Sequence, residues 1–159
     1  MTIAIGERIP AVELDCLDEG VRRVRSDALF AGKTVLLFAV PGAFTPTCSS
    51  RHLPGYIAAL DALHARGVDT VACMAVNDAY VMQAWARSQG APASMRMLAD
   101  GNAALTRALG LEMDATDFGM GMRSKRFALI AKDGVVERLF VDAPGEFRVS
   151  AAEHVLANL

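Results

Sequence analysis

The feature that most constrains the fold is an apolar strand pattern that passes through a short loop into a helical pattern. The six apolar residues from Val35 to Val40 predict a strand buried on both faces. The loop Pro41-Gly-Ala-Phe-Thr-Pro-Thr follows, and the helical pattern begins near Cys48. The Cys48 thiol is therefore expected where a central strand passes into a helix N-terminus. The unpaired N–H groups and the dipole of a helix start favour the thiolate form of a cysteine.

Strand and helix patterns alternate along the rest of the chain, which favours an α/β fold with a central mixed sheet flanked by helices. Asp133-Gly134 predicts a hairpin between the last two strands. Pro54 predicts a kink in the helix that follows Cys48. The strands are expected at residues 34–39, 68–76, 95–98, 126–131 and 135–141, and the helices at residues 26–30, 47–66, 79–88, 102–109 and from 150 onwards.

Three segments are less regular. Residues 12–24 predict a hairpin-like entry, with turn signals at Asp18-Glu-Gly20. Residues 111–124 hold glycines, methionines and acids in a pattern more typical of a functional loop than of a helix or strand. Ser26 is expected to cap the first short helix, and Ser150 with Glu153 has the spacing of a capping box at the last helix.

Length and composition limit the class of protein. A chain of 159 residues, 53% hydrophobic and 21% charged, is expected to form one domain over residues 1–159. A net charge of -2 gives no reason to expect nucleic acid or an anionic membrane as a partner. The apolar runs are far shorter than the roughly 20 residues that span a bilayer. The N-terminal sequence does not resemble a signal peptide, so the expected location is the cytoplasm.

The cysteines suggest neither a disulfide framework nor a metal site. Cys16, Cys48 and Cys73 are an odd and sparse set, and no Cys-x-x-Cys motif is present. No histidine stands at a tight ligand spacing from a second cysteine, so no metal is expected. Cys16 lies between Asp15 and Asp18, whose charges disfavour its thiolate, and we expect it to be incidental.

Four segments carry a resemblance to a known family. Pro41-Gly-Ala-Phe-Thr-Pro-Thr-Cys-Ser-Ser-Arg-His-Leu-Pro-Gly-Tyr56 is similar to the active-site segment of the peroxiredoxin-5 (type II, or atypical two-cysteine) branch of the peroxiredoxins. Further segments agree with that branch in order and spacing: Val71-Ala-Cys-Met-Ala-Val-Asn-Asp78, Ala79-Tyr-Val-Met-Gln-Ala-Trp85 and Gly121-Met-Arg-Ser-Lys-Arg-Phe127. The resemblance covers essentially the whole chain and implies a thioredoxin-like fold.

The resemblance also implies roles for individual residues. Cys48 would be the peroxidatic cysteine, which attacks a hydroperoxide and becomes a sulfenic acid. Thr45 would hydrogen-bond the sulfur and the peroxide, Pro41 would close the pocket, and Arg123 would supply the positive charge beside the thiol. His52 is expected to make a structural hydrogen bond. The residues expected to line the substrate entrance are Phe44, Phe118, Met120 and Met122.

The route of recycling stays open at the level of sequence. Cys73 lies in an apolar strand pattern and is read either as a buried core thiol or as the resolving cysteine. A disulfide with Cys48 would need local unwinding of the active-site helix. Residues 142–149 contain no cysteine, so an external thiol is the other candidate: glutathione with glutaredoxin, or thioredoxin.

The expected function is therefore that of a thiol peroxidase, with no cofactor, that acts on hydrogen peroxide and organic hydroperoxides. The resemblance implies a homodimer packed through the loops around the active site. A peroxide-sensing protein that passes a disulfide from Cys48 to a partner is the alternative. A dithiol oxidoreductase is disfavoured by the missing Cys-x-x-Cys motif.

Overall fold

The computed structural model describes residues 1–17 and 20–159. The strands are β1 (Glu13–Leu17), β2 (Val21–Arg25), β3 (Thr34–Ala39), β4 (Thr70–Ala75), β5 (Met95–Ala99), β6 (Glu112–Asp114), β7 (Met122–Ser124), β8 (Phe127–Lys132) and β9 (Val135–Val141). The helices are α1 (Ser26–Phe30), α2 (Leu53–Ala65), α3 (Ala79–Gln89), α4 (Ala104–Ala108) and α5 (Ala152–Ala157). Within the described ranges, no helix is long and apolar enough to cross a membrane.

Seven of these strands form one mixed sheet in the order β2-β1-β5-β4-β3-β8-β9. The three central strands β3, β4 and β5 are parallel, and β1 and β8 pair with them in antiparallel fashion. Helices α2, α3 and α5 pack on one face of the sheet, and α1 and α4 pack on the other. The predicted α/β fold with a central mixed sheet is confirmed.

Burial on both faces explains why the central strands are continuous apolar runs. Alternate residues of β3 enter opposite clusters: Phe38 faces α2 and α3, and Leu37 faces α1 and α4. In the ladders, Phe38 pairs with Cys73 of β4, and Ala39 pairs with Phe127 of β8. The loop that follows β3 therefore leaves the sheet beside the start of β8.

The local predictions were confirmed at the two hairpins. β1 and β2 are antiparallel neighbours, although the turn signals at positions 18 and 19 lie outside the described residues. β8 and β9 are joined by Asp133 and Gly134, both with positive φ (48° and 79°), the geometry of a type I′ turn.

Other local predictions were wrong. Residues 111–124 are not a simple loop, because β6 and β7 form a small two-stranded sheet around the 3-10 turn Thr116–Phe118. Ser26 does not cap α1: its hydroxyl donates to the carbonyl of Pro10 and accepts from the N–H of Val12. Ser150 likewise does not cap α5, because its hydroxyl bonds a distant carboxylate, Asp142. In both cases a long-range partner replaced the local one that the sequence motif offers.

One buried carboxylate holds the connection after β5. Asp100 is 1% exposed and accepts hydrogen bonds from the N–H of Leu105 (3.1 Å), the N–H of Thr106 (2.8 Å) and the hydroxyl of Thr106 (2.7 Å). It thus satisfies donors at the start of α4, which cannot be paired within the helix.

We expect Asp100→Ala to lower the free energy of unfolding by about 2–4 kcal/mol, because three donors would be left without an acceptor in a buried site. Urea denaturation measures the change. The exposed Asp61→Ala on α2 is the matched control and is expected to stay within about 0.5 kcal/mol of the wild type. Equal stability of the two variants would contradict the role given to Asp100.

Candidate active site

The helix that carries Cys48 contains a π-helical turn near its N-terminus. Residues Cys48–His52 form this turn, after helical positions 46 and 47, and α2 follows from Leu53. The N–H of Leu53 donates to the carbonyl of Cys48, five residues earlier, which is the π-helical pattern. Pro54 sits in the first turn of α2, where its missing N–H is tolerated. The predicted break at Pro54 is thus a change of helix type, and such turns are frequent at functional sites.

The Cys48 thiol is fully buried and contacts one cation. Nη2 of Arg126 donates a hydrogen bond to Sγ of Cys48 at 3.2 Å. Arg126 directly precedes β8, whose first residue, Phe127, pairs with Ala39 at the end of β3. This pairing brings the guanidinium to the loop that presents the thiol. A guanidinium at hydrogen-bond distance stabilises negative charge on the sulfur.

This arrangement corrects the expectation about which arginine lies beside the thiol. Arg123 pairs with Met113 across β6 and β7, and its Nε donates to the carbonyl of Met120 at 2.8 Å. Its Nη1 lies 3.2 Å from the position that a Cβ on Gly42 would occupy. Pairing of β7 with β6 places Arg123 near Gly42, in the loop before Cys48, whereas the pairing of β8 with β3 brings Arg126 to the sulfur of Cys48.

The loop between β3 and Cys48 is held by its own hydrogen bonds. The hydroxyl of Thr45 donates to the carbonyl of Gly42 at 2.7 Å, and the N–H of Ala43 donates to Oδ1 of Asn77 at 2.9 Å. Phe44 adopts a left-handed conformation with φ of 64°, which is uncommon for a residue with a side chain. Thr45 therefore serves the loop in this structure, and its hydroxyl oxygen keeps lone pairs as an acceptor.

A cavity of about 390 Å³ opens beside the thiol. Its lining includes Pro41, Thr47, which directly precedes Cys48, and Arg126, which bonds the sulfur of Cys48. The remaining lining residues are Met113, Ala115, Phe118, Met120, Lys125 and residues 142–147.

Two of the four residues expected at the substrate entrance line this cavity. Phe118 and Met120 belong to its lining. Phe44 and Met122 lie outside it and expose 55% and 37% of their surfaces. Phe147, which the sequence analysis missed, also lines the cavity, and the guanidinium of Arg51 lies 4.8 Å from its ring centre.

His52 lies behind Arg126 and is almost completely buried. Its Nδ1 is 2.9 Å from Nη1 of Arg126, and its Nε2 is 3.2 Å from the carbonyl oxygen of Ser150. Burial, reinforced by the charge of Arg126, lowers the pKa of His52 from 6.5 to about 3. The ring is therefore neutral at physiological pH, and the structural hydrogen bond expected for His52 is present.

The carbonyl of Ser150 is fixed by the C-terminal loop. It also accepts a hydrogen bond from the hydroxyl of Tyr56 at 2.6 Å, and burial raises the pKa of that hydroxyl. The buried carboxylate of Asp142 accepts from the N–H groups of Arg148 (3.0 Å), Val149 (2.8 Å) and Ser150 (3.3 Å). Residues 142–150 are thereby held against the π-helical turn.

The other two cysteines differ in position. Cys73 of β4 is fully buried in the same core cluster as Cys48, on the face covered by α2 and α3. Burial, and then the charge of Cys48, raise the pKa of Cys73 well above 9.0. Cys16 belongs to the cluster on the opposite face, so the sheet separates it from Cys48. Among residues 1–17 and 20–159, no three His, Cys, Asp or Glu side chains are grouped to hold a metal ion.

The lowered pKa of His52 predicts a pH-dependent stability. The unfolded state binds a proton near pH 6.5 and the folded state only near pH 3, so the stabilisation is complete above pH 6.5 and is lost as pH falls towards 3. The slope approaches about 1.4 kcal/mol per pH unit. Urea denaturation between about pH 6.5 and 4.5 should show a steeper loss in the wild type than in His52→Gln. Identical slopes would contradict a buried neutral His52.

Comparisons with known proteins identify the family of the chain. A profile of the redoxin family matches residues 4–156. Peroxiredoxin-2E-2, chloroplastic, from Oryza sativa subsp. japonica is 51% identical, over 99% of this chain and 73% of that protein.

Two solved structures extend the match to three dimensions. Reduced Prx3 from Vibrio vulnificus in complex with H₂O₂ has a TM-score of 0.93 at 53% identity, over 99% of this chain and 100% of that one. Peroxiredoxin 5 from Alvinella pompejana has a TM-score of 0.83 at 31% identity, over 98% and 96%. The chain belongs to the redoxin family and is a peroxiredoxin of the peroxiredoxin-5-like (type II) branch, a peroxidase with a thioredoxin-like fold.

Proposed function

We propose that Cys48 is the peroxidatic residue and that the enzyme reduces hydrogen peroxide and alkyl hydroperoxides. The observation that carries the proposal is the 3.2 Å hydrogen bond from Arg126 to the buried Sγ of Cys48. The thiolate attacks the terminal oxygen of the peroxide, an S–O bond forms and the O–O bond breaks. The leaving oxygen departs as hydroxide or alkoxide and takes up a proton, giving water or an alcohol. Cys48 is left as a sulfenic acid.

The same arginine serves both ends of this reaction. Before the attack, its guanidinium stabilises the charge on sulfur. During the attack, that charge passes to the leaving oxygen, and the planar guanidinium can bond both atoms from one fixed position. The buried surroundings strengthen these interactions relative to water.

The size and lining of the cavity support alkyl hydroperoxides as substrates alongside hydrogen peroxide. Its volume of about 390 Å³ exceeds what hydrogen peroxide needs, and Phe118, Met120 and Phe147 give it an apolar wall. Cys48 itself is fully buried, so the peroxide would approach the sulfur from the part of the cavity that Thr47 and Arg126 line.

Recycling of the sulfenic acid requires local opening, because Cys48 and Cys73 are both fully buried. The π-helical turn of residues 48–52 is the segment that has to open. Once it does, Cys73 in the same core cluster is held at a far higher effective concentration than a thiol from solution. We propose that Cys73 then displaces water from the sulfenic acid, which leaves a Cys48–Cys73 disulfide.

We propose that an external thiol, supplied by glutathione with glutaredoxin or by thioredoxin, reduces this disulfide. Two electrons and two protons from the external thiols restore both cysteines. The location we propose is the cytoplasm, where such thiol reductants keep cysteines reduced. It is supported by Cys48 and Cys73, which are buried and form no disulfide in the structure.

We also propose a homodimer that packs through the loops around the active site. Two exposed aromatic side chains support it: Phe44 beside the Thr45 loop and Tyr80 at the start of α3, which are 55% and 78% exposed. The hydrogen bond from Ala43 to Asn77 ties the segments that carry these aromatics. A second copy of the chain would cover surface that is costly to leave in water.

The central prediction concerns peroxide consumption. Cys48→Ser is expected to abolish it, because the hydroxyl is not an effective nucleophile here. Arg126→Met is expected to lower the rate constant for peroxide about 100-fold or more, through loss of the charge beside the reacting atoms. Stopped-flow kinetics of the reduced protein with hydrogen peroxide measure both.

Arg123→Met is the matched comparison for Arg126→Met, since both substitutions remove one guanidinium from the same segment. We expect it to slow the reaction only a few-fold, because Arg123 bonds the Met120 carbonyl instead of the thiol. A larger loss in Arg123→Met than in Arg126→Met would reverse the assignment. Retained turnover in Cys48→Ser would sink the proposed function.

The resolving step has its own test. One equivalent of hydrogen peroxide should change the intact mass of the reduced wild type by the loss of two hydrogens. In Cys73→Ser the same treatment should add one oxygen, because the sulfenic acid has no internal partner. Addition of one oxygen in both proteins would show that Cys73 is a buried bystander and that an outside thiol resolves Cys48.

A further inference from the structure

The guanidinium of Arg126 makes two hydrogen bonds from its two terminal nitrogens. Nη2 donates to Sγ of Cys48 at 3.2 Å, and Nη1 lies 2.9 Å from Nδ1 of His52. Because the guanidinium is planar and rigid, a partner on one nitrogen fixes the direction of the other. The ring of His52 therefore sets the line along which Arg126 points at the sulfur.

The carbonyl of Ser150 determines which nitrogen of His52 carries the proton. A carbonyl oxygen only accepts, so the contact at 3.2 Å requires a proton on Nε2. In a neutral ring Nδ1 is then a lone-pair acceptor, as the Nη1 donor of Arg126 requires. Both contacts are satisfied by the same tautomer.

We propose that His52 is a positioning residue: its neutral ring, locked by the Ser150 carbonyl, holds the guanidinium of Arg126 against Cys48 without neutralising its charge. The inference rests on the proposed function, since it assigns the group that orients the charged partner of the peroxidatic thiol. The contacts of His52 continue through Ser150 to Asp142, whose carboxylate anchors the loop of residues 142–150.

A neutral histidine in this position leaves the positive charge of Arg126 available to the thiolate. A carboxylate bonded to Arg126 would form an ion pair and compete with the thiolate for the same positive charge. Within the described part of the chain, none of the ion pairs involves Arg126. The low pKa of His52 is consistent with this role, because protonation would remove the acceptor and place two cations side by side.

Packing holds the ring itself in place. Phe38 and Phe147 lie against His52 with ring centres 5.1 and 5.0 Å away, and Tyr56 lies at 5.6 Å. Tyr56 and His52 both bond the carbonyl of Ser150. The histidine is thus fixed by three aromatic neighbours and one carbonyl, so that its remaining nitrogen presents a single direction to Arg126.

Two substitutions separate a positioning role from simple packing. His52→Leu keeps the bulk but removes both hydrogen bonds, and we expect it to lower the rate constant for peroxide about 10- to 100-fold. His52→Gln carries an acceptor and a donor on one planar group and is expected to recover most of that loss. His154→Leu is the control and is expected to keep the wild-type rate constant, because the ring of His154 packs on Phe140 in the α5 region.

A double-mutant cycle with Arg126 gives the decisive readout. If His52 acts through Arg126, adding His52→Leu to Arg126→Met should change the rate constant less than two-fold beyond Arg126→Met alone. Circular dichroism and urea denaturation establish that each variant is folded. If His52→Leu proves unstable, the same cycle is run with His52→Asn, whose shorter side chain is not expected to bond both Arg126 and the Ser150 carbonyl.

Each outcome decides the inference. Equal loss from His52→Leu in both backgrounds, or a wild-type rate in folded His52→Leu, would overturn the positioning role. These results leave the peroxidase proposal intact as long as Cys48→Ser is inactive. An active Cys48→Ser would instead remove the proposed function, and the inference about His52 with it.

Discussion

The contact between the Arg126 guanidinium and the Cys48 sulfur joins positions 78 residues apart in the sequence, and the geometry of the active site depends on it. Cys48 is the first residue of the π-helical turn that follows β3, and Arg126 is the residue directly before β8. Pairing of β3 with β8 makes these two ends neighbours. A charge that could otherwise remain in solvent is therefore held beside a buried thiol, where its electrostatic effect is larger.

Burial of that thiol has consequences for the whole catalytic cycle. In the proposed cycle, a small peroxide enters the cavity beside Arg126, but a second sulfur meets the buried Cys48 only after the π-helical turn opens. The turn is held at two points: Nε1 of Trp85 on α3 donates to the hydroxyl of Ser49, and the Ser150 carbonyl bonds His52. In the proposed cycle, the free-energy cost of breaking these contacts sets how readily the sulfenic acid is resolved.

Several features were predictable because their signals are local. Asp133-Gly134 predicted the type I′ hairpin, since both residues tolerate positive φ. The apolar runs of β3 and β4 predicted central strands, and the loop before Cys48 predicted a thiol at a helix start. Phe118 and Met120, predicted from a segment rich in glycine and apolar side chains, line the cavity beside Arg126.

Local sequence signals do not determine which arginine contacts Cys48 or what the Ser150 hydroxyl bonds. Arg123, Lys125 and Arg126 offer three cations within four positions, and only strand pairing decides that Arg126 faces the sulfur. Ser150 has the spacing of a capping box but bonds Asp142 instead. The sequence alone determined the strand–loop–helix that presents Cys48, because it depends on neighbouring residues. The tertiary structure decided which cation, carbonyl and ring surround the thiol, because those partners come from segments that meet only when the chain folds around the sheet.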